Sequence, residues 1–223
     1  MTTPLCLLDF DGVLFDSAQE VYQVCQKMAN SGLATRCDVN EAEFMRFRKS
    51  VKDAWQFAYL YNKPDKPIPS KPNMEDEIFA KEFFETRKAL AKDDDWFNKI
   101  PAYEFFNGIK KYLLNYPANF KIISTRNEES ILKILQANGV SEIEVIGQAS
   151  IKDAGGKIQA AMNAGLLSKE EFILYIDDML EYSNQFSVYV DLAVHASWGY
   201  GHLNEKSLSE KCAVALIDAL FME

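Results

Sequence analysis

The sequence lacks a long apolar run: no stretch approaches the roughly 20 residues that a bilayer-spanning helix needs. Its first residues carry no basic segment followed by an apolar run, so we expect no secretory signal. Cysteine and histidine are scarce, at four and two of 223 residues. The cysteines form no CxxC pair and no cluster with histidine, which argues against a disulfide framework. Together these absences predict a cytoplasmic protein.

Positive charge is in the minority, with 24 Lys and Arg against 33 Asp and Glu and a net charge of −9. A chain of this sign repels nucleic acid and anionic membranes at long range, so we expect neither as a partner. It also repels phosphorylated substrates, so any anion site would have to be local and assisted by a cation. Hydrophobic residues make up 48%, enough for a sizeable core, and the length suggests one domain with an insertion.

Hydrophobic spacing divides the chain into two kinds of segment. From residue 17 to about 91, apolar residues recur at helical spacing, interrupted by four prolines between Pro64 and Pro72. Elsewhere, short apolar runs alternate with helical stretches, which predicts a parallel sheet with helices on both faces. The predicted strands are 5–8, 120–124, 144–146, 171–176 and 188–194, with helices over 128–138 and 156–164 and a last helix from 207. We therefore predict a doubly wound α/β core over 1–15 and 93–223, with an inserted all-helical cap over 16–92.

Polar residues of particular types follow three of the predicted strands. They are Asp9, Asp11 and Gly12 after the first strand, Ser124, Thr125 and Arg126 after the next, and Asp177 and Asp178 after a later one. Because the carboxyl ends of parallel strands meet at one edge of the sheet, we expect these residues to form one site. Asp9 and Asp11 are two apart in extended chain and can point to the same side, while Gly12 lets the chain turn sharply and brings backbone close to a ligand.

The acidic residues at this edge suggest a metal site. Several carboxylates crowded together repel one another unless a divalent cation neutralises them. Oxygen ligands without Cys or His favour Mg²⁺ over zinc. The structural alternatives are that Asp9 and Asp11 form an Asx turn and that Asp177 and Asp178 are an acidic helix N-terminus. A calcium loop of the EF-hand type does not fit, because Gly12 is the fourth residue of its motif and such a loop has glycine at the sixth position.

These segments resemble the motifs of the haloacid dehalogenase (HAD) superfamily. Leu7-Leu-Asp-Phe-Asp-Gly-Val-Leu-Phe-Asp-Ser17 is similar to the first motif, Ile122–Arg126 to the second, and Tyr175–Asp178 to the fourth in its paired-aspartate form. Val194–Gly201 resembles the segment that follows in phosphoglycolate-phosphatase-like members, and the helical block lies where the family has its cap. The resemblance covers nearly the whole chain. It implies a magnesium-dependent phosphatase that acts on a small phosphorylated metabolite.

The resemblance also implies a role for each acidic residue. Asp9 would be the nucleophile that forms an aspartyl-phosphate. Asp11 would protonate the leaving oxygen and then deprotonate the water that releases phosphate. Mg²⁺ would be held by the Asp9 carboxylate, the Asp11 backbone carbonyl and Asp178, with Asp177 close by.

Basic and hydroxyl residues would complete the site. Ser124 would hydrogen-bond a phosphoryl oxygen, with Thr125 as the alternative if the strand ends one residue later. The family's lysine, at the start of the helix before the fourth motif, is matched by Lys152 or by Lys157, which follows a Gly-Gly pair. The spacing to the fourth motif favours Lys152, which leaves Lys157 as a substrate-binding candidate. Arg126 could reach an anionic substrate or be a solvated arginine.

Other functions are compatible with parts of this pattern. A dehalogenase of the same fold also uses an aspartate nucleophile, but it needs neither an acid at Asp11 nor a metal. A phosphomutase keeps Asp11 and uses a sugar hydroxyl in place of water. An inactive phosphate-binding or regulatory scaffold is the non-enzymatic alternative, and the intact Asp9, Asp11 and Asp178 argue against it. The sequence does not indicate the substrate or the oligomeric state.

Overall fold

A computed structural model describes residues 4–93, 95–167, 172–201 and 207–222. The chain divides into two compact units, Met1–Asp16 with Pro101–Glu223, and Ser17–Ile100. We call the first the sheet unit and the second the helical unit. Within the described residues, no helix combines the length and the apolar character that crossing a membrane would require.

The sheet unit is built on a parallel sheet. Its strands are β1 (Leu5–Leu8), β2 (Phe120–Ile123), β3 (Glu144–Ile146), β4 (Ile173–Asp177), β5 (Leu192–Ala196) and β6 (Ser207–Leu208). They pair in the order β3-β2-β1-β4-β5-β6, and every pairing is parallel. This is the order of a doubly wound sheet. The predicted α/β fold class is therefore confirmed.

Helices connect these strands. They are α5 (Glu104–Asn115), α6 (Glu128–Ala137), α7 (Gln148–Ala154), α8 (Lys157–Asn163), α9 (Leu180–Phe186) and α10 (Glu210–Phe221). All four residues of β1 and all five of β4 are buried, as expected of central parallel strands covered on both faces. Tyr175 of β4 stacks on Phe186 of α9, with ring centroids 3.8 Å apart. This packing fixes β4 against its flanking helix.

Some predicted elements were wrong in detail. The strand predicted over 188–194 begins at Leu192, because residues 187–189 form a turn that follows α9. The last helix begins at Glu210 rather than at 207, since Ser207 and Leu208 pair with β5. The helix predicted over 156–164 is preceded by a second short helix, α7, that the sequence did not reveal.

The helical unit contains no strand among its described residues, as predicted for the insertion. Its α-helices are α1 (Ala18–Asn30), α2 (Glu41–Arg48), α3 (Ala58–Tyr61) and α4 (Met74–Leu90). Asn73 caps α4 by accepting a hydrogen bond from the backbone N–H of Asp76 at 3.1 Å. Glu20 of α1 is buried and accepts hydrogen bonds from Arg87 Nε of α4 at 2.8 Å and from Trp96 Nε1 at 3.2 Å. A charged group thus joins the first and last helices of this unit.

The topology brings three strand ends together. β1 pairs with β2 and with β4, so that Leu8 is opposite Ile122 on one side and Ile176 on the other. The chain leaves β1, builds β2 and β3 on one side, and returns to build β4 on the other. Ligand sites of doubly wound sheets lie at this switch in strand order, beyond the carboxyl ends of the strands. The residues just after β1, β2 and β4 therefore form the candidate site.

Candidate active site

Three buried carboxylates meet at this switch point. Asp9 follows β1, Asp177 ends β4 and Asp178 comes next, and all three are buried. One carboxylate oxygen from each lies within 4.8 Å of the others. The backbone N–H of Asp9 donates to the carbonyl of Ile176 at 2.9 Å, which extends the β1–β4 pairing up to the site. The predicted grouping of Asp9 with the two late acids is what the structure shows.

A buried lysine lies between two of these acids. Lys157 is the first residue of α8, and its Nζ is 3.1 Å from Asp9 Oδ1 and 2.8 Å from Asp177 Oδ2. The ammonium group also lies 4.4 Å from the ring centroid of Tyr182. Gly155 and Gly156, with φ of 83° and 150°, form the turn that starts α8 at this point. Such φ values favour glycine, so the Gly-Gly pair sets where Lys157 enters the site.

Lys152, the lysine that the sequence spacing favoured, is not the one that pairs with the buried acids. Lys152 lies within α7 and is exposed. Two short helices, α7 and α8, lie between β3 and β4, and the glycine turn separates them. The lysine at a helix start beside Asp9 is Lys157.

Asp177 is held by several hydrogen-bond donors. Its Oδ2 accepts from Lys157 Nζ at 2.8 Å and from the Tyr175 hydroxyl at 2.5 Å. Its Oδ1 accepts from the backbone N–H of Met179 at 2.7 Å. A buried carboxylate needs such partners to remain charged. Asp177 therefore anchors Lys157, which leaves Asp9 and Asp178 as the carboxylates better placed to bind a ligand.

Glycines make room for Asp178. A Cβ atom on Gly12 or Gly199 would overlap the Asp178 side chain, and one on Gly201 would overlap its backbone carbonyl. Gly12 also has φ of 88°, which L-residues with side chains rarely adopt. Asp178 Oδ2 accepts from the backbone N–H of Tyr200 at 2.7 Å. The first motif and the segment after β5 thus close around this carboxylate.

The loop after β2 supplies the remaining candidates. Ser124 is buried directly after β2, and its N–H donates to the carbonyl of Ile146 at 3.0 Å. Thr125 is exposed. Arg126 is buried, and its Nη1 donates to Asp11 Oδ1 at 3.0 Å. The structure therefore joins the loops after β1 and β2 through Arg126 and Asp11, and it leaves Thr125 on the surface.

The electrostatics of the site follow from burial. The pKa of Asp9 is raised to about 8, first because burial disfavours its charged form and further because Asp177 and Asp178 are negative, while Lys157 opposes the rise. Burial by itself would lower the pKa of Lys157, but the attraction of Asp177 and Asp9 outweighs it and raises that pKa above its ordinary value. The ammonium of Lys157 thus stays charged beside the acids.

The residues fit a divalent cation. Asp9 Oδ1 is buried and accepts no hydrogen bond of good geometry, although Lys157 lies beside it. All the candidate ligand atoms are oxygens, as Mg²⁺ prefers. When all three carboxylates are ionised, they and the lysine carry a net charge of −2, which one Mg²⁺ ion would balance. The glycines around Asp178 keep this region free of other side chains.

Sequence reasoning missed some contributors. The Tyr175 hydroxyl was hidden inside an apolar strand, and nothing in its spacing distinguishes it from a packing residue. Tyr182 contributes an aromatic face to Lys157, a contact that its place in the sequence does not indicate. The need for glycine at position 199 follows from its contact with Asp178, which the sequence does not indicate. Asp11 and Arg126 were both candidates, but their pairing could not be predicted from their separate motifs.

Comparisons with known proteins bear on the fold. No protein-family model matches the sequence, and no curated protein matches it. Solved structures do match. A predicted phosphoglycolate phosphatase from Haemophilus somnus 129pt has a TM-score of 0.66 at 14% identity, over 98% of this chain and 99% of that chain. A haloacid dehalogenase-like family hydrolase from Streptococcus pneumoniae has a TM-score of 0.66 at 13% identity, over 96% and 98%.

A third structure was determined with a ligand. CbbY from Rhodobacter sphaeroides, in complex with phosphate, has a TM-score of 0.62 at 9% identity, over 93% of both chains. At such identities the likeness establishes the fold. The chain therefore has the fold of haloacid dehalogenase-like hydrolases along nearly its whole length, as its motifs suggested.

Proposed function

We propose that this protein is a magnesium-dependent phosphatase that hydrolyses a small phosphate monoester through an aspartyl-phosphate on Asp9. The observation that carries the proposal is the buried group formed by Asp9, Lys157, Asp177 and Asp178, beside the ion pair of Asp11 and Arg126. Structures of the same fold include a predicted phosphoglycolate phosphatase and a protein crystallised with phosphate. The substrate would be a small phosphorylated metabolite.

Each residue of the chain would have a distinct task. The Asp9 carboxylate attacks phosphorus, and the bond from phosphorus to the leaving oxygen breaks as Asp11, which enters this step protonated, gives that oxygen its proton. Asp11 then takes a proton from the water that attacks the aspartyl-phosphate, which releases phosphate and restores both carboxyl groups. Lys157 holds Asp9 in place, and Ser124 donates a hydrogen bond to a phosphoryl oxygen. Phosphoryl transfer depends mostly on such positioning and on charge neutralisation.

The Asp9 and Asp178 carboxylates and the Asp11 backbone carbonyl would hold Mg²⁺. When bound, the ion supplies positive charge that screens the acids from the substrate phosphate. Asp177 is the weaker candidate as a ligand, because both of its oxygens already accept hydrogen bonds. Its part would be to fix Lys157.

Specific features favour phosphate chemistry over the alternatives. A dehalogenase of this fold would need neither Asp11 nor the acid cluster. A scaffold without catalysis would gain nothing from a carboxylate such as Asp9, whose pKa is raised by burial and by the neighbouring acids, since such a group lowers stability when charged. A phosphomutase uses the same residues and differs only in the acceptor hydroxyl.

The test is a panel of phosphate monoesters, including 4-nitrophenyl phosphate, assayed with Mg²⁺ and with EDTA. We expect release of inorganic phosphate that requires Mg²⁺ and is abolished in Asp9→Asn. Transfer of the phosphoryl group to a second sugar hydroxyl, without phosphate release, would identify a mutase. Equal turnover by the wild type and Asp9→Asn would overturn the proposal.

A further inference from the structure

Arg126 is held in one orientation between β2 and α6. Its side chain is fully shielded from solvent. Its Nε donates to Ser130 Oγ at 2.9 Å, and its Nη1 donates to Asp11 Oδ1 at 3.0 Å. The guanidinium carbon lies 5.9 Å from the ring centroid of Phe10. Because arginine presents its donors in a rigid planar fork, these contacts fix the direction of the group that meets Asp11.

Asp11 has a different environment from the other acids. The Asp11 side chain is 21% exposed, whereas the Asp9 side chain is 8% exposed and the Asp177 side chain is fully buried. A group that exchanges protons with a leaving oxygen and then with water has to reach open space. The same openness leaves its carboxylate free to rotate unless a neighbour holds it. Arg126 supplies such a neighbour from the adjacent strand end.

We propose that Arg126 is a positioning residue for Asp11, which turns that carboxylate toward the substrate, rather than a residue that binds the substrate phosphate. The inference rests on the proposed function, in which Asp11 transfers the proton. Two donors of the guanidinium are already engaged, one by Ser130 and one by Asp11. The side chain is also fully shielded from solvent, and a substrate phosphate that approached Nη1 would compete with its charge-assisted hydrogen bond to Asp11.

The two roles predict different kinetics for Arg126→Gln. Misplacing a reacting group by about 1 Å costs on the order of 100-fold in rate, so we expect kcat to fall by about that factor while KM does not rise. Loss of a phosphate-binding arginine would instead raise KM for every monoester. With 4-nitrophenyl phosphate the leaving group departs without a proton, so only the later attack of water on the aspartyl-phosphate needs Asp11.

The variant should therefore show a burst. In Arg126→Gln, the first turnover should release 4-nitrophenolate quickly, up to about one equivalent of enzyme, followed by a slow steady rate. The wild type, in which neither step is impaired, should release product linearly. A partly unfolded variant loses amplitude and rate together and cannot imitate this pattern. A variant that is slow from the first turnover would overturn the positioning role.

A double-mutant cycle gives the second readout. If Arg126 acts through Asp11, adding Arg126→Gln to Asp11→Asn should cost nothing further, because the group that it positions is already lost. If the two losses of kcat add, and the wild type is active and depends on Asp9, then the positioning role is wrong while the proposed function stands. Absence of any Asp9-dependent turnover in the wild type would instead overturn the proposed function, and the positioning role with it.

Because Arg126 is buried, two milder variants test its role with less disturbance of the fold. Ser130→Ala removes the Nε partner but keeps the ion pair, and the N-terminal cap of α6, in which the Ser130 N–H donates to Asn127 Oδ1, remains. We expect a smaller loss of kcat, with a burst of the same kind. Arg126→Lys keeps the charge but cannot hydrogen-bond to both Ser130 and Asp11. Its kcat should lie between those of the wild type and Arg126→Gln. If both variants fold and neither shows a burst, the inference is wrong.

Discussion

Lys157 Nζ lies 3.1 Å from Asp9 Oδ1, which places a buried positive charge against the carboxylate that is proposed to attack phosphorus. The same ammonium is 2.8 Å from Asp177 Oδ2. The lysine therefore connects the end of β4 with the end of β1. Its removal would leave Asp9, Asp177 and Asp178 without the positive charge that Lys157 supplies.

We predict that Lys157→Met abolishes phosphatase activity and destabilises the metal-free protein by about 3 kcal/mol, because breaking a buried ion pair leaves uncompensated charge. Urea unfolding in EDTA measures the second effect, and Mg²⁺ should restore part of the lost stability. Lys152→Met is the matched control: its side chain is exposed on α7, so its stability and activity should match the wild type. If Lys152→Met were inactive and Lys157→Met active, the assignment of the lysine would be reversed.

The raised pKa of Asp9 predicts a pH-dependent stability. A carboxyl group that binds its proton more tightly in the folded state than in the unfolded state stabilises the fold at low pH, and this contribution is lost as the pH rises from the ordinary value of about 4 through the folded value. With a folded pKa of about 8 for Asp9, metal-free protein should lose on the order of 2 kcal/mol between pH 6 and pH 8.

Asp9→Asn isolates this effect, since the amide does not titrate. Between pH 6 and pH 8, the urea midpoint in EDTA should fall more for the wild type than for Asp9→Asn. Saturating Mg²⁺ should remove this difference between the two proteins. If the urea midpoint changes equally with pH in both proteins, Asp9 is already ionised in the folded protein at pH 6.

Gly199 is predicted to be essential for metal binding. A Cβ atom at this position would overlap the Asp178 side chain and the Gly12 carbonyl, so Gly199→Ala has to displace one of them. We expect Mg²⁺ affinity, measured by titration calorimetry, to fall at least about tenfold, the lower end of the cost of disturbing groups around a metal ligand. Gly108→Ala is the control, because its Cβ would meet the Val214 side chain, a neighbour from α10. That variant should alter melting temperature without altering Mg²⁺ affinity.

The Tyr175 hydroxyl is predicted to support Lys157 through Asp177. Tyr175→Phe removes the 2.5 Å hydrogen bond to Asp177 Oδ2 and keeps the ring that stacks on Phe186. A hydrogen bond to a charged group contributes about 1.5 to 3 kcal/mol, so we expect a loss of stability of that order and a lower kcat. Tyr112→Phe removes a hydroxyl that donates to Asp218 at 2.7 Å on α10, and it should lower stability without a change in kcat. Equal kcat losses in the two variants would contradict the role of Tyr175.

The sheet and the identity of the site could be read from the sequence because both depend on local patterns. β1 is a continuous apolar run followed by Asp9, and β4 ends in Asp177, with Asp178 next. Parallel strands bring such ends to one edge whatever the length of chain between them. The fold class and the grouping of these acids therefore followed from short segments.

The remainder depends on contacts between segments. Lys152 and Lys157 are both near a predicted helix start, and only the glycine turn between α7 and α8 decides which of them is buried. The short strand β6 is defined by its pairing with β5 and has no apolar run of its own. The ion pair between Arg126 and Asp11 joins residues 115 positions apart. No pattern within either motif specifies that distance.

The most direct test of the account is the location of the covalent phosphate. Asp11→Asn should slow release from the aspartyl-phosphate, so acid-quenched samples of this variant with Mg²⁺ and 4-nitrophenyl phosphate should accumulate phosphoprotein. Peptide mapping by mass spectrometry should place the phosphate on Asp9, and hydroxylamine should remove it as an acyl phosphate. Phosphate on any other side chain, or turnover by the wild type together with no covalent phosphate in the variant, would contradict Asp9 as the nucleophile.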